Sequence, residues 1–189
     1  TKNKIPPDLR GIVYSLAAKH GGSREYEKLL AMYKSAILHE EKNRIGAALG
    51  SFRQQGPLGR TLAFALSGDV RPQDSVRMIS SVTANPDGTE IAWAFIKKNW
   101  GIFKERYGES RELSYLLAPL EVSSSAKLAS DLESFLKKNP APGTERTVQQ
   151  VLEHIRSNAA WLARDKRCGA SGPDAPVQRL ARVTIHPRG

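Results

Sequence analysis

The chain has 189 residues, a formal net charge of +10 at neutral pH and one cysteine, Cys168. A hydrophobic content of 40% with 25% charged residues is typical of a folded globular protein and argues against wholesale disorder. A single cysteine excludes an internal disulfide framework and a multi-cysteine zinc site, and no apolar run reaches the length of a membrane span. The N-terminus lacks the apolar core of a signal peptide and an initiator methionine, so we expect a fragment or a processed product.

The basic excess is unevenly distributed. Residues 166–189 alone hold a net charge of +4, from Lys166, Arg167, Arg179, Arg182 and Arg188 against Asp174. Elsewhere basic and acidic residues are interspersed, as on a solvated helical surface, so we do not expect nucleic acid as a partner even though clustered cations bind phosphates.

Apolar residues recur at helical spacing in segments separated by turn signals. The first predicted helix follows Pro6–Pro7 and stops at Gly21–Gly22, and Ser23 is predicted to cap the second. The following predicted helices are Glu41–Phe52, Leu58–Leu66, a helix after Pro72 that ends before Asn85–Gly88, a short one within Leu113–Leu120, and one over Leu128–Leu136 for which Ser123–Ser125 offer caps.

The segment Thr89–Tyr107 contains two of the three tryptophans. Its largest side chains lie at spacings of three and four, which places them on one side of a single long helix capped by Thr89. We predict that this stripe holds neighbouring helices together, with a binding surface as the weaker alternative. The stripe consists of Trp93, Ile96, Trp100, Phe103 and Tyr107.

A last amphipathic segment runs from Thr144 to Asp165, after which the breaker-rich sequence around Cys168–Gly169 predicts the end of the helix. We therefore predict a helical domain over residues 1–165 and a poorly ordered basic tail over 166–189. The predicted fold is all-α, a superhelical stack of antiparallel helix pairs like the HEAT/armadillo α-solenoids.

The sequence contains few features that point to catalysis. His39-Glu40-Glu41-Lys42-Asn43 begins like the zinc-protease motif H-E-x-x-H, but asparagine is a poor zinc donor and no further carboxylate ligand follows. No G-x-S-x-G elbow or glycine-rich phosphate loop occurs, and Cys168 has no oriented base near it in sequence. We predict no catalytic and no metal-binding residue in this chain.

One loop is a candidate binding site. In the sequence Asp69-Val70-Arg71-Pro72-Gln73-Asp74, Arg71 stands beside a predicted helix N-terminus, a combination that can hold a carboxylate. The alternative is structural: Asp69 or Asp74 caps the helix and Arg71 pairs with a neighbouring acid.

Three stretches carry a resemblance: SGDVRPQD (67–74), NPDGTEIAWAFIKKNWGIFKERYG (85–108) and PGTERTVQQVLEHIRSNAAWLARD (142–165). In this order they resemble the C-terminal helical domain of zinc aminopeptidases of the puromycin-sensitive and endoplasmic-reticulum type. The resemblance covers about residues 5–165 and is greatest to the cytosolic puromycin-sensitive type.

The resemblance implies a noncatalytic domain that closes over an upstream catalytic domain, walls an internal chamber and helps select peptide substrates. Zinc and the catalytic residues would then belong to the upstream domain, and this chain alone would be inactive and cytoplasmic. Arg71 would be the residue that contacts the distal carboxylate of a peptide. The first hairpin would pack on preceding helices, leaving Ile12 or Tyr33 uncovered here. The alternative is a stand-alone helical-repeat scaffold that binds a protein or RNA.

Overall fold

A computed structural model describes residues 5–108 and 110–170. Over these residues the regular secondary structure is entirely helical, which confirms the all-α prediction. The elements are α1 (Pro7–His20), α2 (Ser23–Ser35), α3 (His39–Leu49), α4 (Gln55–Ala65), α5 (Pro72–Thr83), α6 (Thr89–Lys98), α7 (Trp100–Tyr107), α8 (Glu112–Leu117), a 3₁₀ helix (Ala118–Val122), α9 (Ala126–Lys138) and α10 (Glu145–Ala170).

Most contacts between the helices join elements that are one or two places apart in the chain. Helix α1 packs on α3, α3 on α5, and α5 on α8, while α2 packs on α3, and α4 packs on both α5 and α6. At the far end, α10 packs on α8, on α9 and on the 3₁₀ helix. These contacts join helices that are one to three places apart in the chain. The superhelical stack of antiparallel helix pairs stays a prediction.

A single connected core joins the helices. Its buried apolar side chains extend from Tyr14 on α1 to Ile155 on α10. Helix α10 continues through Cys168 to Ala170, so the predicted end of the helix at Asp165 is wrong. One glycine in a helix costs only about 1 kcal/mol relative to alanine, too little to stop the helix by itself. The poorly ordered tail stays a prediction, since residues 171–189 lie outside the described residues.

The predicted long helix over 89–107 is two helices. Asn99 separates α6 from α7 with φ of −105° and ψ of 17°, and its side-chain amide donates to the Phe95 carbonyl at 2.9 Å. The same carbonyl also accepts from Asn99 N at 3.1 Å, so the side-chain amide is a second donor to it at the point where α6 ends. The large side chains are nevertheless buried, so the prediction of a structural stripe is confirmed; they are Trp93, Ile96, Trp100, Phe103 and Tyr107.

Two predicted helix caps are wrong and one is confirmed. Gly22, and not Ser23, is the cap residue of α2, and its N–H donates to the Glu25 carboxylate at 3.0 Å. Thr89 is the first residue of α6, where its buried hydroxyl bonds to backbone carbonyls of the preceding turn. Ser125 caps α9 as predicted, because its Oγ accepts from Leu128 N at 3.2 Å.

Asp131 connects the stripe to α9. Its Oδ2 accepts a hydrogen bond from Trp93 Nε1 at 2.7 Å and a charged one from Lys97 Nζ. The hydrogen bond from Lys97 has the larger effect and that from Trp93 adds to it. Together they hold the pKa of the Asp131 carboxyl below its usual range. One helical turn on, the Phe135 ring meets both Trp93 and Trp100 edge-to-face, with ring centroids 5.4 Å apart in each pair. Both contacts fix α9 against the α6–α7 pair.

We expect Asp131→Asn to lower the free energy of unfolding near neutral pH, by an amount that shrinks as the pH falls below the usual range of carboxyl pKa values. The carboxylate has a lowered pKa in the folded state. Its contribution is therefore complete above the pKa of the unfolded chain and is lost as the pH falls through the folded value. Urea denaturation at several pH values measures this, with Asp87→Asn as a control at an exposed loop carboxylate. An Asp131→Asn deficit that is the same at every pH would contradict the assignment.

Candidate functional site

Arg71 stands immediately before α5. Its backbone is extended, with φ of −65° and ψ of 144°, and its carbonyl accepts from Asp74 N at 2.9 Å and Ser75 N at 3.0 Å. Pro72 explains this arrangement, because proline suits the first helical position and disfavours a helical conformation in the residue before it. The sequence therefore ends the loop at Arg71 and leaves its side chain beside the helix N-terminus.

The guanidinium of Arg71 is held on one side. Its Nε donates to Asp74 Oδ2 at 2.7 Å, and the side chains are 39% and 11% exposed respectively. The pairing with a neighbouring acid is thus confirmed, whereas a carboxylate cap is wrong, since no side chain caps α5. Asp69 pairs with Lys34 instead, at 3.5 Å. Within the described residues, neither Nη nitrogen of Arg71 has a hydrogen-bond partner, so an anion can approach that edge.

Two lysines from other helices adjoin this loop. Lys34 of α2 and Lys42 of α3 line a cavity of about 230 Å³ together with Tyr33 and Asp69. Lys42 Nζ lies 5.5 Å from the centre of the Tyr33 ring. Burial raises the pKa of the Tyr33 phenol, with nearby Asp74 adding to the rise and Arg71 opposing it. Lys34 is already paired with Asp69, so within the described residues Lys42 is the lysine of this cavity that has no carboxylate partner.

Helix α1 presents a second feature, an exposed apolar face. The α1 face consists of Leu9, Ile12, Val13 and Leu16, of which Ile12 is 60% and Leu16 51% exposed. The prediction that Ile12 is uncovered is confirmed. For Tyr33 it is wrong, because the ring is buried and packs edge-to-face on Phe64 at 5.2 Å.

The histidine of the incomplete zinc motif is exposed. His39 is the first residue of α3, and Asn43 lies one turn further on. The side chains at these positions do not fit a zinc site, because an amide replaces the second imidazole. Over residues 5–108 and 110–170, no group of three or more His, Cys, Asp or Glu residues could hold a metal ion. Among the described helices, none combines the length and apolar character needed to cross a membrane.

The sequence of this chain is similar to portions of known proteins. Alanine/arginine aminopeptidase of Saccharomyces cerevisiae is 28% identical over 172 residues, which cover 90% of this chain and 20% of the yeast protein. Aminopeptidase N of Homo sapiens is 31% identical over 170 residues, 87% of this chain and 18% of the human protein. The chain thus spans about a fifth of the length of these relatives.

The family model of the ERAP1-like C-terminal domain matches residues 1–157. This match takes in α1 to α9, the loop with Arg71 and the first half of α10. It confirms the resemblance to the C-terminal domain of aminopeptidases, while the particular likeness to the puromycin-sensitive type stays a prediction. Since the match extends over most of the sequence, the chain belongs to the family of ERAP1-like C-terminal domains.

Proposed function

We propose that this chain is the noncatalytic C-terminal domain of a zinc aminopeptidase, where it encloses the active-site chamber and helps to select peptides for removal of the N-terminal residue. The observation that carries the proposal is the family membership, together with relatives that are named aminopeptidases and are about five times as long. The zinc ion and the catalytic groups belong, in this proposal, to an upstream domain, and the enzyme acts in the cytoplasm.

The α1 face supports an upstream partner. It is a row of apolar side chains at the first helix of the stack, and exposed apolar rows of this kind mark protein interfaces. In a stack of helix pairs, the first helix is the one that meets whatever precedes it. We assign the α1 face to the contact with helices that precede this segment in the same polypeptide.

The loop containing Arg71 supports peptide selection. The free edge of the guanidinium can form charge-assisted hydrogen bonds to a carboxylate, and Lys34 and Lys42 add positive charge nearby. A peptide substrate carries one free carboxylate at its end distal to the scissile bond. Binding that group would fix how far a peptide reaches across the chamber.

A chimera tests the function. The segment of the yeast alanine/arginine aminopeptidase that aligns with this chain is replaced by the chain, and kcat/KM is measured on peptides of increasing length. We expect the chimera to keep turnover of a small aminoacyl amide, because catalysis lies upstream, and to change the ranking of peptide lengths. A chimera that is active on the small amide and ranks peptides as the parent enzyme does would overturn the selecting role.

In that chimera we expect Arg71→Ala to raise KM about tenfold for peptides with a free C-terminal carboxylate, the effect of one lost hydrogen bond to a charged group. KM for the same peptides with an amidated C-terminus should not change, since the amide lacks the charge. Gln73→Ala, at a neighbouring exposed position on α5, is the control. Equal effects on free and amidated peptides would show that Arg71 acts on folding and not on the carboxylate.

A further inference from the structure

A groove separates α9 from the first half of α10. Its volume is about 570 Å³, which lies in the range of ligand-binding clefts. Apolar side chains form much of its lining, namely Leu136 of α9, Ala141 of the connecting loop, and Val148 and Leu152 of α10. The groove lies well away in sequence from the loop containing Arg71 and has no role in the function proposed above.

The rim of the groove is charged and incompletely neutralised. Glu133 is paired twice, with Lys137 at 3.5 Å and with Arg156 at 2.9 Å. Glu145 and Glu153 have only uncharged donors: Glu145 accepts from Gly143 N at 3.1 Å and Glu153 from the Gln149 amide at 3.3 Å. Within the described residues, neither of these two carboxylates has a cationic partner. An apolar segment with basic side chains fits such a groove.

The sequence that follows α10 has this chemistry. Residues 171–189 contain three arginines and one aspartate, a net positive charge. Apolar and basic residues alternate closely in Val177-Gln178-Arg179-Leu180-Ala181-Arg182. Leu180 between the two arginines can supply the apolar group, with Arg179 and Arg182 as partners for Glu145 and Glu153.

The chain is also long enough to reach the groove. Along α10, Arg156 and Val148 lie about 21 Å and about 33 Å from Ala170, at 1.5 Å per residue. An extended chain that turns back after Ala170 covers about 23 Å by residue 177 and about 33 Å by residue 180, at about 3.3 Å per residue. Leu180 would thus come level with Val148. Tethering a segment raises its local concentration to the millimolar range, so that a weak site is occupied.

We propose that the α9–α10 groove is a docking site for the chain's own residues 177–182, with Leu180 on the apolar floor and Arg179 and Arg182 against Glu145 and Glu153. The contact would cover the apolar floor and neutralise both carboxylates in one step.

Carboxyl labelling of the intact chain tests the proposal, with labelling rates at individual residues read by mass spectrometry. The test variant is the double substitution Arg179→Glu/Arg182→Glu, and Leu180→Asp tests the apolar contact. We expect labelling of Glu145 and Glu153 to become roughly tenfold faster in both variants, and labelling of Glu90, exposed on α6, to stay unchanged.

Arg188→Glu makes the same kind of charge change outside the docking stretch and should leave the labelling rates of all three glutamates unchanged. Adding Glu145→Arg and Glu153→Arg to the double variant restores opposite charges between the groove and the segment. We expect the backbone amides that line the groove to exchange hydrogen more slowly in this variant than in the double variant.

Three outcomes would overturn the proposal. Equal labelling of Glu145 and Glu153 in the wild-type chain and the tail variants would show that the segment does not cover them. Changes confined to another surface would place the segment elsewhere. Protection that disappears on dilution would show that a second copy, and not the same chain, supplies the segment.

Discussion

Replacing Trp100 with alanine is expected to lower the free energy of unfolding by about 3 to 5 kcal/mol. The indole is only 5% exposed, and its ring meets Phe135 edge-to-face across the junction between α7 and α9. Its Nε1 is buried without a hydrogen-bond partner in the described structure, so the loss is one of packing and apolar burial. The cavity left behind would lie where α9 is fixed against the α6–α7 pair.

Urea denaturation followed by circular dichroism measures this change. Trp161→Ala is the matched control, because the same side chain is removed from a position on α10 that is 58% exposed, and we expect less than about 0.5 kcal/mol there. Similar losses in the two variants would contradict the structural role given to the stripe on α6 and α7.

The second large effect is expected at Gly50, where alanine should lower the free energy of unfolding by about 1 to 3 kcal/mol. The backbone of Gly50 is one that alanine adopts readily, with φ of −79° and ψ of −5°. The added Cβ, however, would lie 2.1 Å from Ser81 Oγ and 2.7 Å from the Ser81 carbonyl carbon. Because a backbone atom is among those too close, α3 and α5 must move apart. That movement would also disturb the bond from the Asn85 amide to the Gly50 carbonyl at 2.9 Å.

Gly59→Ala gives the opposite expectation and serves as the control. Gly59 lies within α4, and an added Cβ there meets no atom within 4 Å. Alanine in a helix interior stabilises by about 0.5 to 1 kcal/mol relative to glycine, so this variant should be more stable than the wild type. The same denaturation experiment compares the two variants. A change of the same sign in the free energy of unfolding of both would show that the close approach of α3 and α5 does not limit stability.

Helical spacing predicted the burial of the stripe because burial follows from periodicity once a helix forms. It did not predict the break at Asn99, where the backbone leaves helical geometry and the side-chain amide bonds to the Phe95 carbonyl. The predictions that Ser23 and Thr89 cap helices were wrong because glycines occupy both cap positions. At α2, the Glu25 carboxylate accepts a hydrogen bond from the N–H of the cap residue Gly22. The bonds at these positions join residues three or four apart, and the spacing of apolar residues does not reveal them.

The candidate site was predictable in part. Local sequence placed Arg71 at the start of α5 and named a neighbouring acid as its partner, since both follow from residues close in sequence. Lys34 and Lys42 could not be found in this way, because only packing brings α2 and α3 to the same loop. The α1 face illustrates a further limit: its spacing is that of a core helix, and sequence alone does not distinguish a core from an interface.

The most direct measurement of the central claim is turnover of an aminoacyl chromogenic substrate by the purified chain with added Zn²⁺, beside the chimera that joins the chain to the upstream part of the yeast enzyme. We expect only background hydrolysis from the chain alone and zinc-dependent hydrolysis from the chimera, because the catalytic groups lie upstream in the proposed enzyme. Zinc-dependent turnover by the chain alone, abolished by a chelator and absent from a mock purification, would contradict the account of a noncatalytic domain.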